Sequence, residues 1–231
     1  MTLNNAQAVS GAADAAQARR TRGRPRAASD ETRRKAIVDC ALSTFLELGY
    51  AETTTSRVAQ RCRISKATLY RLFPSKTELF IALVIAHRQT MLALPRPDDD
   101  APLAEAIAEI FRIDIDAQAE RERAAFIQLA LHESASNPEV GQILSRYGAL
   151  EARLLLAQWL ARQRERGAIV LDDVESGARM LMDMIFGAMV ARPPGFPSWP
   201  DGETRHRHIR RCIEIFLNGA VPRATVPPLP G

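Results

Sequence analysis

The segment from Arg63 to Phe80, RISKATLYRLFPSKTELF, contains two serines that are placed to begin helices. Ser65 precedes KATLYRLF and Ser75 precedes KTELF. Serine is a preferred N-cap because its hydroxyl accepts a hydrogen bond from a free backbone N–H of the first turn. Pro74 separates the two segments, and proline cannot continue a helix. The segment therefore predicts a short helix that is followed at once by the start of another.

Two further helices are predicted directly before this segment. A long one has Ser29 as its N-cap, carries apolar residues at helical spacing from Ile37 onward, and ends at Gly49. A short one begins after Thr53 or Thr54 and runs through TSRVAQRC. A long helix followed by two short helices with a tight turn between them is the arrangement of a helix-turn-helix domain.

Lys66 and Lys76 each follow one of the two serine caps. The first turn of a helix carries a partial positive charge, so a lysine there indicates an anion from outside the chain. First-turn residues of a recognition helix point at base edges in the major groove. Lys66 is therefore placed to bond guanine, and Ala67 or Thr68 to touch a thymine methyl. Tyr70, one turn beyond Lys66, is placed to contact a phosphate or a base methyl. These residues predict binding to double-stranded DNA.

A basic segment, RRTRGRPR, lies before the first predicted helix. It belongs to residues 1–28, which are poor in large apolar residues and are expected to be disordered. Its glycine and proline disfavour a helix, so we expect an extended arm whose Arg22, Arg24 and Arg26 enter a DNA minor groove. A basic tail in solvent, without a specific role, is the alternative.

The net charge of +4 is unevenly distributed along the chain. Residues 1–95 contain 15 Lys or Arg and 7 Asp or Glu, whereas residues 96–231 contain 16 and 20. A positively charged half favours a polyanion as partner. We find no nucleophile–base pair, carboxylate pair, phosphate-binding loop or metal-ligand spacing, so we expect no enzyme activity, no cofactor and no metal.

Residues 49–80, GYAETTTSRVAQRCRISKATLYRLFPSKTELF, resemble the N-terminal signature of the tetracycline-repressor (TetR) family of bacterial transcriptional regulators. The resemblance implies phosphate contacts by Thr54 and Lys76, beside the base-reading positions already named. Two positions depart from the family pattern: Arg63 replaces the usual turn glycine, and Leu72 replaces a frequent phosphate-binding histidine. The DNA-binding candidates are Arg22, Arg24, Arg26, Thr54, Arg63, Ser65, Lys66, Ala67, Thr68, Tyr70 and Lys76.

The proline- and aspartate-rich segment LPRPDDDAP predicts a domain boundary. Beyond it every segment has helical periodicity, beginning with APLAEAIAEIFRIDIDAQAE, then RERAAFIQLALHES, and then a long helix from Pro138 to Gly167. The predicted fold is all-α: a three-helix N-terminal helix-turn-helix DNA-binding domain, joined by a fourth helix to a larger C-terminal helical bundle that dimerises. The predicted domains are the arm 1–28, the DNA-binding domain 29–94, the ligand-sensing and dimerisation domain 95–221, and a disordered tail 222–231.

The C-terminal bundle is predicted to form a homodimer through its last two helices. GARMLMDMIFGAMVA is apolar nearly all round, as expected for a helix covered by its own bundle on one side and by a partner on the other. Burial within its own domain is the alternative. The TetR resemblance favours the dimer, because members of the family pair through their two C-terminal helices. The segments NPEVGQIL and IEIFLNGA resemble the AefR-like subgroup.

By the same resemblance, a small molecule enters the bundle, shifts the fourth helix and releases a repressor from a palindromic operator. An architectural protein that binds DNA with weak sequence preference is the alternative function. Apolar residues on the inner helix faces are candidates for lining the ligand pocket, with ordinary core positions as the alternative. They are Phe111, Ile115, Phe126, Leu129, His132, Trp159, Met182 and Phe186.

Cys40, Cys62 and Cys212 are odd in number and lack CxxC spacing, so we expect small apolar core residues and neither a disulfide framework nor a zinc site. No apolar run approaches the length of a membrane span, and the N-terminal segment does not resemble a signal peptide. These features predict a cytoplasmic protein.

Overall fold

The computed structural model describes residues 29–97, 100–189 and 202–220, and all secondary structure within these ranges is helical. The predicted DNA-binding residues Arg22, Arg24 and Arg26 lie outside them. None of the helices in the described ranges is long and apolar enough to cross a membrane.

The helices follow the predicted order along the chain. They are α1 Asp30–Glu52, α2 Thr55–Arg61, α3 Lys66–Leu72, α4 Lys76–Met91, α5 Leu103–Ile110, α6 Ala117–Ser136, α7 Pro138–Ile143, α8 Glu151–Glu165, α9 Val174–Met189 and α10 Gly202–Ala220. A π-helical segment, Leu144–Leu150, connects α7 to α8 without a break.

Contacts divide the chain into two compact units, residues 1–36 and 37–231. In the first unit, Ser29 begins α1 as predicted: its hydroxyl accepts a hydrogen bond from the backbone N–H of Thr32 at 3.2 Å. The second unit contains the rest of α1 and every later helix.

The predicted serine and threonine caps are present at the short helices. Thr54 accepts from the backbone N–H of Arg57 at 3.2 Å, and Ser65 accepts from that of Thr68 at 3.0 Å. Ser75 accepts from the N–H of Glu78 at 3.1 Å. Each hydroxyl satisfies a first-turn donor that has no partner within its own helix, which fixes where α2, α3 and α4 begin.

The second unit contains two hydrophobic cores. The first is built on α1 to α4, where Phe45, Tyr50 and Phe80 pack ring against ring with centroids 4.9–6.1 Å apart. It also includes three residues beyond the predicted boundary at residue 95, namely Phe126, Val140 and Ile143. The second core lies among α5, α8, α9 and α10 and contains Phe111, Trp159, Leu160, Leu181 and Ile213. Thus α6 and α7 pack against the DNA-binding helices.

One predicted helix boundary in the C-terminal region is wrong. The segment from Ala101 to Glu120 is interrupted at residues 111–116 and is not one helical stretch. Arg112 adopts a positive φ of 47°, which is incompatible with a right-handed helix. Asp116 then caps α6 by accepting from the backbone N–H groups of Gln118 and Ala119 at 2.8 and 2.9 Å. The apolar periodicity on both sides concealed this turn.

The expectation that the cysteines form no disulfide is also wrong. Cys40 on α1 and Cys62 at the end of α2 are bonded, with their Cα atoms 5.8 Å apart. The packing of α2 against α1 brings the two positions together, and no spacing rule in the sequence shows this. Arg61 adds an ion pair to Glu47 across the same two helices. Cys212 is free and buried.

Candidate nucleic-acid interface and ligand cavity

Helix α3 divides its residues between the core and solvent. Leu69 and Leu72 are buried, whereas Lys66 and Ala67 at the first turn are exposed. Tyr70 is 47% exposed. The exposed positions are those predicted to face bases and backbone, so the helix presents the predicted face to solvent. Leu72, which replaces the frequent phosphate-binding histidine, is buried in the core of this region.

The hydroxyl groups near this face are held by local bonds. The hydroxyl of Tyr70 and that of Thr55 are 2.8 Å apart, which ties α3 to α2. Thr54 and Ser65 use their side chains as helix caps. Arg63 is exposed and adopts a φ of 54°, the left-handed conformation for which glycine is the usual residue. The charged side chain of Arg63 is thus carried by a turn whose backbone conformation is unfavourable for residues other than glycine.

Lys76 has a partner that the sequence interpretation missed. Its Nζ donates to the carbonyl of Tyr50 at 2.9 Å and to that of Ala51 at 3.4 Å, near the C-terminal end of α1. The same nitrogen lies 4.2 Å from the centroid of the Tyr50 ring. A cation near the C-terminal carbonyls of a helix is favourable. The placement of this lysine after Ser75 is thus explained within the protein, and a DNA phosphate is not required for it.

Glu133 on α6 joins the C-terminal helices to the end of α1. Its buried carboxylate accepts a hydrogen bond from the backbone N–H of Tyr50 at 2.9 Å. A Cβ atom at the neighbouring Gly49 would lie only 2.6 Å from Oε1 of Glu133. Gly49 also has φ 73° and ψ 174°, a backbone region open essentially to glycine alone. The glycine therefore permits both the sharp turn and the close approach of the carboxylate.

A cavity of about 470 Å³ lies beside the C-terminal half of α4. Its walls come from α4, α6, α9, the beginning of α8 and the π-helical segment. The lining includes Val84, His87, Arg88, Met91, Phe126, Ile127, Ser145, Gly148, Arg153, Arg179, Met182 and Phe186. A cavity of this size with a mostly apolar wall is typical of small-molecule sites.

Three of the eight predicted pocket residues line this cavity: Phe126, Met182 and Phe186. The others are placed elsewhere by long-range packing. Phe111 and Trp159 are buried in the second core, Leu129 packs against the first core, and Ile115 lines a separate cleft near the start of α10. His132 is exposed on α6.

His87 is one of the polar residues of the cavity lining that the sequence analysis did not select. It is only 7% exposed, and its ring packs against Phe126 with centroids 3.8 Å apart and ring planes tilted by 32°. Its Nε2 has no hydrogen-bond partner among the described residues. Burial and the positive charge of Arg123 lower the pKa of His87 to about 3, so the ring is neutral at physiological pH. The sequence contained one signal for this residue, because His87 is a histidine on the apolar stripe of the predicted fourth helix.

The π-helical segment forms a wall of the cavity and is bonded to α4. Arg88 donates from Nη1 to the carbonyl of Tyr147 at 2.8 Å. A Cβ at Gly148 would lie 3.4 Å from Val84, so the small residue permits close approach to α4. Widened helical turns of this kind occur frequently at functional sites. Helix α4 thus touches the cavity at one end and the DNA-binding helices at the other.

Two family models match separate parts of the chain, one the helix-turn-helix region and the other the later helices. A family model described as bacterial regulatory proteins of the tetR family matches residues 37–83. A second, described as the C-terminal domain of AefR-like transcriptional repressors, matches residues 105–219. The chain belongs to the TetR family. Both the TetR resemblance and the AefR-like resemblance are confirmed, and the TetR-family protein is a DNA-binding transcriptional regulator.

Proteins with similar sequences are described as transcriptional regulators. The uncharacterised regulator YvkB of Bacillus subtilis is 26% identical over 159 residues, which is 68% of this chain and 82% of YvkB. RutR of Escherichia coli is 36% identical over 86 residues, which is 36% of this chain and 40% of RutR. Both relatives are described as HTH-type transcriptional regulators.

Solved structures confirm the predicted all-α architecture. A TetR regulator from Agrobacterium tumefaciens matches with a TM-score of 0.61 at 22% identity, covering 81% of this chain and 94% of that chain. The flavonoid-responsive regulator FrrA matches with a TM-score of 0.57 at 25% identity, covering 84% of this TetR-family chain and all of FrrA.

Proposed function

We propose that this protein is a homodimeric, ligand-released repressor that binds a palindromic DNA operator. The observation that carries the proposal is the position of α4. Its N-terminal residues contact the helix-turn-helix region through Lys76 and Thr77, and its C-terminal residues His87 and Arg88 line the cavity. A ligand that moves α4 would therefore move the DNA-binding helices as well. The protein would act in the bacterial cytoplasm, where its operator lies.

The exposed face of α3 supports the DNA-binding part of the proposal. Lys66 and Ala67 are free of the core and stand at the first turn of the helix, where side chains reach base edges. Arg63, Tyr70 and the N-terminal arginines would contribute contacts to the phosphate backbone or minor groove. Lys66 is the proposed base-reading residue, because a lysine can bond the O6 and N7 acceptors of guanine.

Exposed apolar residues on the last two helices support the homodimer. Met180 on α9 is 58% exposed and Ile215 on α10 is 59% exposed. Single exposed apolar side chains are common on protein surfaces, so the support comes from their position on the two helices that pair in this family. Pairing through α9 and α10 would present two recognition helices to half-sites about 34–36 Å apart, one turn of DNA.

The cavity supports a small-molecule effector. FrrA, which shares the fold at 25% identity, is described as flavonoid-responsive. In the proposed mechanism, the ligand binds against α4 and favours a different position of this helix. In that position the distance between the two recognition helices no longer matches the spacing of the operator half-sites. Linkage requires that DNA weakens ligand binding by the same factor, typically corresponding to about 1–3 kcal/mol.

Selection of random DNA duplexes by the purified protein tests the DNA-binding proposal. We expect an enriched palindrome, and we expect Lys66→Ala to lose preference at one position of each half-site. Arg121→Ala removes a positive charge from an exposed position on α6 and is the matched control, which should keep the preference. If no sequence is enriched, the architectural alternative is correct and the repressor proposal fails.

Sedimentation analysis tests the dimer. Met180→Arg and Ile215→Arg together should convert the protein to a monomer and abolish operator binding. Val170→Arg provides a control, because Val170 is 56% exposed but lies before α9. A dimer that persists in the double variant would contradict pairing through the last two helices.

A further inference from the structure

The cavity beside α4 combines an apolar wall with a buried polar atom that lacks a partner. Met91, Phe126, Met182 and Phe186 supply apolar and aromatic surface. His87 belongs to the lining, and its Nε2 atom, which lies just beneath the cavity surface, makes no hydrogen bond to any described residue. A buried polar atom without a bond is unfavourable, so an incoming molecule that supplies this bond gains affinity.

The state of His87 limits the group that can supply the bond. The ring is neutral because burial and the charge of Arg123 lower its pKa to about 3, and it packs closely against Phe126. A neutral imidazole presents Nε2 as an acceptor in one tautomer and as an N–H donor in the other. A hydroxyl group satisfies either tautomer, because it both donates and accepts. An ionised group satisfies one tautomer at most and must lose its hydration in an apolar site.

The charged residues of the lining are partly committed to other groups. Arg88 donates to the Tyr147 carbonyl at 2.8 Å, and Nε of Arg179 lies 3.7 Å from a carboxylate oxygen of Asp183. Asp183, which also lines the cavity, offsets the charge of Arg179, whereas Arg88 keeps its charge because its acceptor is a neutral carbonyl. Arg153 is a third arginine of the lining. Because an arginine can bind a carboxylate, the test must include a probe that carries one.

We propose that the cavity binds an uncharged, mostly apolar molecule with a phenolic or alcoholic hydroxyl group, and that this hydroxyl forms a hydrogen bond with Nε2 of His87. The inference rests on the effector cavity of the proposed function and adds the chemical class of the effector. The cavity volume of about 470 Å³ suits a drug-sized molecule.

Calorimetric titration without DNA tests the inference. The probes are 4-hydroxybiphenyl and 7-hydroxyflavone, the methyl ether of each, and biphenyl-4-carboxylate. The methyl ethers keep the apolar body and cannot donate a hydrogen bond. We expect each hydroxyl probe to bind about tenfold more tightly than its methyl ether, as one buried hydrogen bond of ordinary strength allows. The carboxylate should bind more weakly than 4-hydroxybiphenyl.

The variant His87→Phe removes Nε2 and keeps an aromatic ring against Phe126. We expect the preference for hydroxyl over methyl ether to fall to about one, with little change in the affinity of the ether. His132→Phe is the matched control, because His132 is exposed on α6 and lies outside the cavity lining; it should keep the tenfold preference. Binding of the ether shows in the same experiment that each variant is folded.

Nitrogen NMR of histidine-labelled wild-type protein provides a second measurement that needs no variant. The Nε2 resonance of His87 should shift when a hydroxyl probe binds and should shift much less with the methyl ether. Equal affinities for hydroxyl and ether, no binding by either series, or tightest binding of the carboxylate would each overturn the inference.

The two proposals fail in different experiments. If a hydroxyl probe binds through His87 but leaves operator binding unchanged, the ligand class stands and ligand-controlled release fails. If the operator is bound specifically but the hydroxyl preference is absent, the repressor proposal stands and the role of His87 fails.

Discussion

Helix α4 connects two regions that differ in how their polar groups are satisfied. At its N-terminal end, Nζ of Lys76 bonds to the carbonyl of Tyr50 at 2.9 Å, and Thr77 donates to Glu139 at 3.3 Å. At its C-terminal end, His87 is buried with Nε2 lacking a partner among the described residues. The polar groups at the first end have partners within the protein, whereas the second end contains a buried nitrogen without one among the described residues.

This difference suggests how binding energy reaches the DNA-binding region. A ligand gains most where a polar atom is unsatisfied, at His87. In the proposed mechanism, movement of α4 there would be transmitted because the opposite end is bonded to α1 through Tyr50, and because Glu133 on α6 bonds to the same residue. If both ends were equally satisfied, a ligand would have less energy to gain by moving the helix.

The largest expected effect is on the stability of the DNA-binding region, which the N-terminal end of α4 contacts. The Cys40–Cys62 disulfide joins residues 22 apart in sequence, which corresponds to about 3 kcal/mol of stability in the chain-entropy treatment. Reduction with dithiothreitol should lower the free energy of unfolding by about this amount. Urea denaturation followed by circular dichroism measures it. The double variant Cys40→Ser, Cys62→Ser should be insensitive to the reductant, and a reductant effect that persists there would contradict the assignment.

The second prediction concerns the contact between Gly49 and Glu133. Gly49→Ala should cost about 2–3 kcal/mol, because it combines an unfavourable backbone conformation with a Cβ atom only 2.6 Å from Oε1. Gly167 is the matched control: its φ is also positive, 71°, but nothing lies within 4 Å of its Cβ position. Gly167→Ala should therefore cost only about 1 kcal/mol. Equal losses in thermal or urea denaturation would show that the Glu133 contact adds nothing.

The DNA-binding region was predictable because its signals are local. Ser65 and Ser75 cap helices a few residues away, and Pro74 ends a helix in its own neighbourhood. Such signals act through neighbouring backbone groups and need no knowledge of the tertiary structure. The bonds that Lys76 and Cys40 form within the chain were missed because their partners lie 26 and 22 residues away in sequence.

The cavity was less predictable because it depends on which helix faces meet. Periodicity identifies an apolar face but does not distinguish a core position from a cavity wall. Phe111 and Phe186 illustrate this limit. Their ring centroids are 5.6 Å apart, yet Phe111 belongs to the core whereas Phe186 also lines the cavity. The turn at residues 111–116 separates α5 from α6, and periodicity alone did not indicate this break.

The third prediction uses pH to separate the two ends of α4. The pKa of His87 falls from its ordinary 6.5 to about 3 in the folded protein. Between these values the unfolded chain binds a proton that the folded chain does not, so this residue lowers stability as the pH falls, by at most about 1.4 kcal/mol per pH unit. From pH 7 to pH 5 its contribution is a loss of about 2 kcal/mol.

The variant His87→Phe should remove that contribution, so its stability should fall less than that of wild type between pH 7 and pH 5. Urea denaturation at both pH values gives the difference. His132→Gln is the control, because His132 is exposed, and it should follow the wild-type curve. Parallel curves for wild type and His87→Phe would show that this end of α4 does not hold a buried neutral histidine.

The smallest effect compares two arginines with left-handed backbones, one in each region. Arg63 has φ 54° and Arg112 has φ 47°. Replacement by glycine relieves about 1–2 kcal/mol of backbone cost and loses about 0.5–1 kcal/mol through the greater freedom of the unfolded chain. We therefore expect Arg63→Gly and Arg112→Gly each to stabilise the protein by about 0.5–1 kcal/mol in urea denaturation.

Operator binding should distinguish the same two variants. If Arg63 contacts a phosphate, Arg63→Gly weakens binding and lowers the salt dependence of each half-site by about one counterion, whereas Arg112→Gly changes neither. Equal DNA affinity for both variants would mean that Arg63 merely tolerates its turn. In that case the strained residue at this position has no function in DNA binding, and glycine would serve better there.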